Sequence, residues 1–163
     1  MKWIAFILVA VISASSANAQ LKAAAVCPNM LVDVLEGTVN NKLYTTSTAG
    51  EVQKLFPCFT SVVEETNGTT CGAVIYKDKD IVFYTERDYI EIGSGFKGTL
   101  EPALMGVNRA QLYKLLGNPK LKDGTWEAYQ TKYGVMIVYF DANAKINKIQ
   151  ISSKTTDSIK LCE

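Results

Sequence analysis

Four carboxylates at two predicted turns are the side chains best placed for acid–base chemistry. Asp78 and Asp80 lie in the stretch KDKD, and Glu86 and Asp88 lie in ERD. Paired carboxylates could supply the acid and the base of a glycoside hydrolase. Charged residues, aspartate above all, are also typical of solvated hairpin turns, and this interpretation is favoured here. We therefore predict that the protein is not an enzyme, with a hydrolase that uses these carboxylates as an alternative.

The remaining catalytic and cofactor motifs are missing from the chain. It contains no histidine, which excludes Ser-His and Cys-His catalytic pairs. There is no C-x-x-C spacing for zinc, and DKDIVF lacks the oxygen ligands and the sixth-position glycine of a calcium loop. The glycine-rich stretch GSGFKG follows a predicted strand and does not open a helix, so it does not fit a phosphate loop. We expect neither a metal nor a cofactor.

The first 19 residues have the features of a secretory signal peptide. Lys2 precedes an apolar run over residues 3–12, and the tripeptide ANA at 17–19 fits the A-x-A cleavage pattern. The apolar run is too short to span a bilayer. We therefore expect cleavage after Ala19 and a secreted or periplasmic mature chain of 144 residues (163 − 19) without a membrane span.

Four cysteines in an exported chain predict two disulfides. Three pairings are possible, and we favour Cys58–Cys71 together with Cys27–Cys162. The first would close a polar loop after a predicted helix, and the second would join the two ends of the mature chain. Asn67 in that loop begins an N-x-T sequon. Because the signal peptide has a bacterial character, we expect no glycan on it.

Two stretches follow the rules for a short capped helix. They are STAGEVQKLFP at 47–57 and GVNRAQLYKLLGNP at 106–119. Thr48 and Asn108 are good N-caps, and each has Glu or Gln three positions later, which predicts a capping box. A proline ends each stretch. Helices of about eight or nine residues are marginal alone, so each needs a surface on which to pack.

Three β-branched and aromatic runs follow each predicted helix, with turn-like gaps between them. The runs are CGAVIY, DIVFYT and DYIEIG after the first helix, and WEAYQT, VMIVYFD and INKIQIS after the second. Two matched units about 60 residues apart indicate an internal repeat. We therefore predict an α+β fold, in which two tandem α-β-β-β units form an antiparallel sheet with the short helices on one face.

The predicted organisation has three parts. They are a signal peptide at 1–19, an N-terminal lead with the first unit at 20–98, and the second unit at 99–163. Within the lead, NMLVDVLEGTVNNKLYTT predicts a short helix and a strand.

The second helical stretch also carries a family resemblance. GVNRAQLYKLLGNP resembles the G-M-T-R-x-Q-V-x-x-L-L-G-x-P signature of a superfamily of small exported α/β domains, with Val107 for Met and Asn108 for Thr. That superfamily includes the β-lactamase inhibitor protein and the small outer-membrane lipoprotein of the β-barrel assembly machinery. VYFDANAKINKIQIS resembles its final hairpin. The tandem arrangement is most similar to the inhibitor, which implies protein binding, but the inhibitor's contact loops do not align and imply no target.

Aromatic residues on the predicted strands suggest where a partner binds. Alternation along a strand places neighbouring side chains on opposite faces of the sheet. Tyr84, Tyr89, Trp126 and Tyr139 are thereby assigned to the face without helices, where tyrosine and tryptophan suit a protein contact. The alternative is that this face is buried under the N-terminal segment or the other unit.

These observations predict an exported, non-enzymatic protein-binding domain. The partner is expected to be another protein, either an exported enzyme or an envelope component. The 16 basic and 16 acidic side chains left after Lys2 is removed give no reason to expect a nucleic acid. The alternatives are a cell-envelope or outer-membrane assembly factor and a small-ligand pocket between sheet and helices.

Overall fold

A computed structural model of the protein describes residues 26–66 and 70–162. The predicted signal peptide at 1–19 and the sequon residue Asn67 lie outside these ranges. No helix in the described ranges is both long enough and apolar enough to cross a bilayer.

The described chain contains two short α-helices and two β-sheets. This confirms the predicted mixture of α and β structure. The helices are α1 (Ala49–Leu55) and α2 (Arg109–Leu116). The strands are β1 (Leu31–Asp33), β2 (Thr38–Val39), β3 (Leu43–Tyr44), β4 (Ser61–Val63), β5 (Ala73–Tyr76), β6 (Ile81–Tyr84), β7 (Tyr89–Gly93), β8 (Thr99–Glu101), β9 (Leu121–Lys122), β10 (Trp126–Gln130), β11 (Val135–Phe140) and β12 (Ile146–Ser152).

The larger sheet has eight strands in the order β4-β5-β6-β7-β12-β11-β10-β9, and every neighbouring pair is antiparallel. Strands β4 to β7 follow α1, and strands β9 to β12 follow α2. The last strand of each run, β7 or β12, lies at the centre of the sheet, where Ile92 faces Ile149. Four strands of the larger sheet therefore follow each helix, whereas three were predicted. The extra strands are the short edge strands β4 and β9, whose two or three residues are too few to show periodicity.

The smaller sheet, in the order β3-β2-β1-β8, replaces the short helix predicted near residues 29–46. That segment forms three strands, β1, β2 and β3. Three residues between these strands, Gly37, Asn40 and Asn41, have positive φ angles. They make the tight turns that connect the strands, and a continuous helix would not allow such angles. A Cβ atom on Gly37 would also collide with the ring of Tyr133.

Both helices have the predicted capping boxes. The side chains of Thr48 and Asn108 accept hydrogen bonds from the backbone N–H groups of Glu51 and Gln111. In turn, the side chains of Glu51 and Gln111 accept hydrogen bonds from the backbone N–H groups of Thr48 and Asn108. Because the helices have only seven and eight residues, they depend on packing. Each anchors one fully buried side chain, Val52 or Leu112, in one large apolar cluster that contains residues from both halves of the chain and from the smaller sheet.

All four cysteines are in disulfides, but the predicted pairing is wrong. The bonds are Cys27–Cys58 and Cys71–Cys162, with Cα atoms 5.3 and 6.2 Å apart. The register of β4 against β5 places Ser61 opposite Ile75. Cys58, before β4, and Cys71, before β5, therefore lie at opposite ends of this antiparallel pair. They are separated by several residues of extended chain, too far for the distance of about 4.4–6.8 Å that a disulfide needs.

Candidate functional site

The face of the eight-stranded sheet opposite the helices carries all four of the predicted contact residues. Along β6, Ile81 and Phe83 join the large core cluster, so Val82 and Tyr84 point to the other face. Tyr84 lies directly opposite Tyr89 on β7. Trp126 lies directly opposite Tyr139 in the β10–β11 pair. We call this surface the helix-free face. Its middle row crosses all eight strands: Ser61, Ile75, Val82, Glu91, Gln150, Ile137, Ala128 and Leu121.

Tyr89 is not available to a partner, contrary to the prediction. Its side chain has 0% exposed surface, and its ring stacks on that of Tyr84 with centroids 4.4 Å apart. Its hydroxyl accepts a hydrogen bond from the backbone N–H of Cys162. Burial raises the pKa of Tyr89 well above its usual range. Tyr89 is therefore a core residue of this face.

The C-terminal segment, residues 153–162, covers Tyr89. The predicted alternatives were burial under the N-terminal segment or under the other unit, and neither included this segment. Ile159 and Leu161 pack against a second apolar cluster of Ala128, Val135 and Ile137. The Cys71–Cys162 disulfide fixes one end of the segment, and Lys154 forms a 2.7 Å ion pair with Asp88 near the other end. Alternation in Ile159-Lys160-Leu161 is the sequence signal that could have revealed this contact.

An apolar pocket remains open between the C-terminal segment and the β9–β11 end of the face. Its volume is about 260 Å³. Trp126 and Tyr139 line it and are both half-buried. Leu121 at its rim is 45% exposed. The other lining residues are Ala128, Ile137, Thr156, Ile159 and Leu161. The only polar side-chain groups among these lining residues are the hydroxyls of Thr156 and Tyr139 and the indole N–H of Trp126, and none is charged, so the pocket suits an uncharged, largely apolar group.

A polar network holds Tyr139 in place beside this pocket. Its hydroxyl donates to Oε1 of Gln150 at 2.9 Å, and Nε2 of Gln150 donates to Glu91 at 2.7 Å. Nζ of Lys148 lies 3.5 Å from the Glu91 carboxylate and 4.2 Å from the centroid of the Tyr139 ring. Burial, and to a lesser degree the Glu91 charge, raises the pKa of Tyr139. The ring is therefore fixed with its polar tip already satisfied.

The helix side of the sheet holds a buried charge that sequence reasoning missed. Glu127 on β10 accepts a 2.6 Å hydrogen bond from Tyr129 and lies 3.1 Å from Nε of Arg109, the first residue of α2. Arg109 also donates to the carbonyl of Gly124 and lies over the Phe140 ring. An open groove of about 620 Å³ between α2 and β9–β10 begins at this cluster. The groove is not enclosed, so the predicted ligand pocket between sheet and helices is present only as an open surface.

Comparisons with known proteins add no assignment. No protein-family model, curated protein or solved structure matches this chain.

The structure separates the two sets of turn carboxylates. Asp78 and Asp80 lie before β6, and Glu86 and Asp88 lie after it, so the two sets occupy opposite ends of a four-residue strand. The Asp80 carboxylate accepts from the backbone N–H of Gly95 at 2.7 Å. Asp88 is the partner of Lys154. These contacts are those of turn residues. The described residues contain no group of three or more His, Cys, Asp or Glu side chains that could hold a metal ion.

Proposed function

We propose that the mature chain is an exported, non-enzymatic protein-binding domain that contacts its partner with the open part of the helix-free face. The observation that carries the proposal is the pair Trp126 and Tyr139. They lie directly opposite each other, half-exposed, beside an open apolar pocket. Tryptophan and tyrosine dominate the energetics of protein interfaces because they combine a large apolar area with a polar tip.

The rigidity of this surface supports the same proposal. The Tyr139 ring is held by the bond to Gln150, and the wall formed by Ile159 and Leu161 is tied to the sheet through Cys162. A surface that is already ordered loses less conformational entropy on binding. Lys148 and Glu91 supply a charged rim, which is the usual border of an apolar contact.

The order of elements supports a duplicated unit as the origin of this sheet. Each helix starts with a capping box, at Thr48 and at Asn108, an offset of 60 residues (108 − 48), and each precedes four antiparallel strands of the larger sheet. The final strands of the two units, β7 and β12, meet at the centre. We infer that the chain is a tandem repeat similar in plan to the β-lactamase inhibitor superfamily. The two disulfides are consistent with an exported protein.

Site-specific photocrosslinking tests the proposed surface. A photoreactive amino acid would replace Trp126 or Leu121 in the full chain, expressed in its native host. A matched control would place the same group at Tyr113 on α2, which is 53% exposed. We expect one discrete protein adduct from the envelope or the medium at Trp126 and Leu121, and none at Tyr113.

The identity of the adduct then separates the predicted alternatives. An outer-membrane protein would favour the envelope-assembly role, and a soluble exported enzyme would favour an inhibitor role. With the partner in hand, Trp126→Ala should weaken binding at least about tenfold, which corresponds to about 1.4 kcal/mol. Adducts only at Tyr113, or an unchanged affinity of Trp126→Ala, would refute the assignment of this face.

A further inference from the structure

The two edges of the eight-stranded sheet are protected to different degrees. Strand β9 has two residues, with exposed Lys120 and Lys122 and with Pro119 just before it. Short strands, lysine and proline are the features by which proteins prevent another chain from pairing with an open edge. Strand β4, at the other end of the sheet, is also short, with three residues, and Glu64 and Glu65 follow it, but no lysine, arginine or proline occurs over residues 59–66.

The β4 edge, the less protected of the two, also exposes apolar side chains. Val62, the middle residue of β4, is 40% exposed, and Phe59 just before the strand is 36% exposed. Within the described residues, β4 has a neighbouring strand only on its β5 side. Its outward backbone groups are therefore available to an additional strand.

Strand β4 is held firmly at both ends. The Cys27–Cys58 disulfide lies just before β4. Strand β4 pairs with β5, and Cys71, just before β5, is bonded to Cys162. The Lys77 backbone N–H donates to Oγ1 of Thr60 at 2.9 Å, and Arg87 forms a 2.8 Å ion pair with Glu65. An added strand would therefore meet an edge that is already ordered.

We propose that this edge is a self-association site, at which β4 pairs antiparallel with β4 of a second copy and Val62 faces Val62. Under a two-fold axis, this is the one register in which all three β4 residues face β4 residues, because Ser61 then faces Val63. The register also keeps the acidic side chains apart. Glu64 faces Thr60 and Glu65 faces Phe59, so no glutamate faces another.

Moving the two-fold axis by one or two residues toward the C-terminal end of β4 is less favourable. Centred on Val63, the pairing would place Glu64 against the apolar side chain of Val62. Centred on Glu64, it would place two like charges directly opposite each other, which destabilises a sheet. The register centred on Val62 buries the exposed valine against its copy and extends the sheet across both molecules, with their helix-free faces on the same side. This association does not depend on the proposed function.

Sedimentation velocity tests the proposal with the full mature chain at about 10 µM to 1 mM, the range expected for a small interface. We expect the wild-type protein to shift from monomer to dimer as the concentration rises. Val62→Lys should remain monomeric over that range. Leu121→Lys at the other edge is the matched control and should dimerise like the wild type. A wild-type protein that stays monomeric, or a dimer that Val62→Lys does not weaken, would overturn the proposal.

Cysteine crosslinking tests the register itself. Directly opposed residues in an antiparallel pair have Cα atoms about 4.5–5.5 Å apart, within disulfide range. Under mild oxidation, Val62→Cys should give a covalent dimer, and mass spectrometry should show that the new disulfide joins the substituted positions of the two copies. Phe59→Cys, which would face Glu65, should give at least about tenfold less. Equal crosslinking of the two variants would overturn the proposed register.

Discussion

The hydroxyl of Tyr89 accepts a hydrogen bond from the backbone N–H of Cys162 at 3.1 Å. This contact joins a central strand of the large sheet to the end of the described chain, 73 residues away. Cys162 is also bonded to Cys71, so two independent links hold the C-terminal segment on the helix-free face. The segment is therefore part of the fold and decides which aromatic residues of this face stay exposed.

Removing that acceptor should destabilise the protein. Tyr89→Phe keeps the buried ring but leaves the Cys162 N–H without its partner, so we expect a loss of about 1 kcal/mol in the free energy of unfolding. Urea denaturation would measure it. Tyr113→Phe, at an exposed tyrosine on α2, is the control and should change nothing. Equal stabilities of Tyr89→Phe and the wild type would contradict the role of this bond.

The buried carboxylate of Glu127 should be more sensitive than any surface glutamate. Glu127→Ala leaves Arg109 and Tyr129 without their shared partner, and we expect a loss of about 2 kcal/mol, moderated because Arg109 is partly exposed. Glu127→Gln keeps an acceptor for the tyrosine and should lose less.

The matched control for this measurement is Glu36→Ala. Glu36 pairs with Lys132 at 3.6 Å on the surface, and such pairs contribute little. Thermal or urea unfolding of the three variants would rank them. Similar losses for Glu127→Ala and Glu36→Ala would show that the buried cluster does not hold α2 on the sheet.

Stability should fall steeply in alkali because of Tyr76. Its hydroxyl is buried and donates to the Phe56 carbonyl at 2.7 Å, and burial raises its pKa above the usual value of 10.0. Below pH 10 the Tyr76 side chain is protonated in both the folded and the unfolded state, so it makes its full contribution to the free energy of unfolding. As the pH rises above 10, only the unfolded state releases the proton, so the contribution declines.

Urea titrations at several pH values from about 8 to 12 would measure this effect. Between about pH 10.5 and 12, the wild type should lose about 1.4 kcal/mol more per pH unit than Tyr76→Phe. Tyr113→Phe should keep the wild-type slope. Parallel slopes for Tyr76→Phe and the wild type would indicate that Tyr76 ionises as easily in the folded protein as in the unfolded chain.

The two disulfides should have separable effects. Cys71→Ser with Cys162→Ser opens a closure of 91 residues, and Cys27→Ser with Cys58→Ser opens one of 31. Chain entropy predicts losses of about 5 and about 4 kcal/mol. Only the first pair frees the segment that packs on Trp126, the one tryptophan outside the predicted signal peptide. Its emission should shift to longer wavelength in that variant alone. A shift in both variants, or in neither, would contradict the contact.

Local features were predictable from the sequence. The capping residues Thr48 and Asn108 start their helices where the pattern indicated, because a cap involves hydrogen bonds within three residues. Alternation assigned Tyr84, Tyr89, Trp126 and Tyr139 to one face, since the side-chain period of a strand is a property of its backbone.

Contacts between distant residues required the tertiary structure. The cysteine partners follow from the register of β4 on β5, which separates Cys58 from Cys71. The burial of Tyr89 and the ion pair of Glu127 with Arg109 follow from which segments meet across the sheet. The sequence by itself determined where both α-helices and the longer strands of the eight-stranded sheet form and which way their side chains point, because those choices depend on a few neighbouring residues. Only the tertiary structure decided which surfaces are covered, because that depends on the strand order of the whole chain.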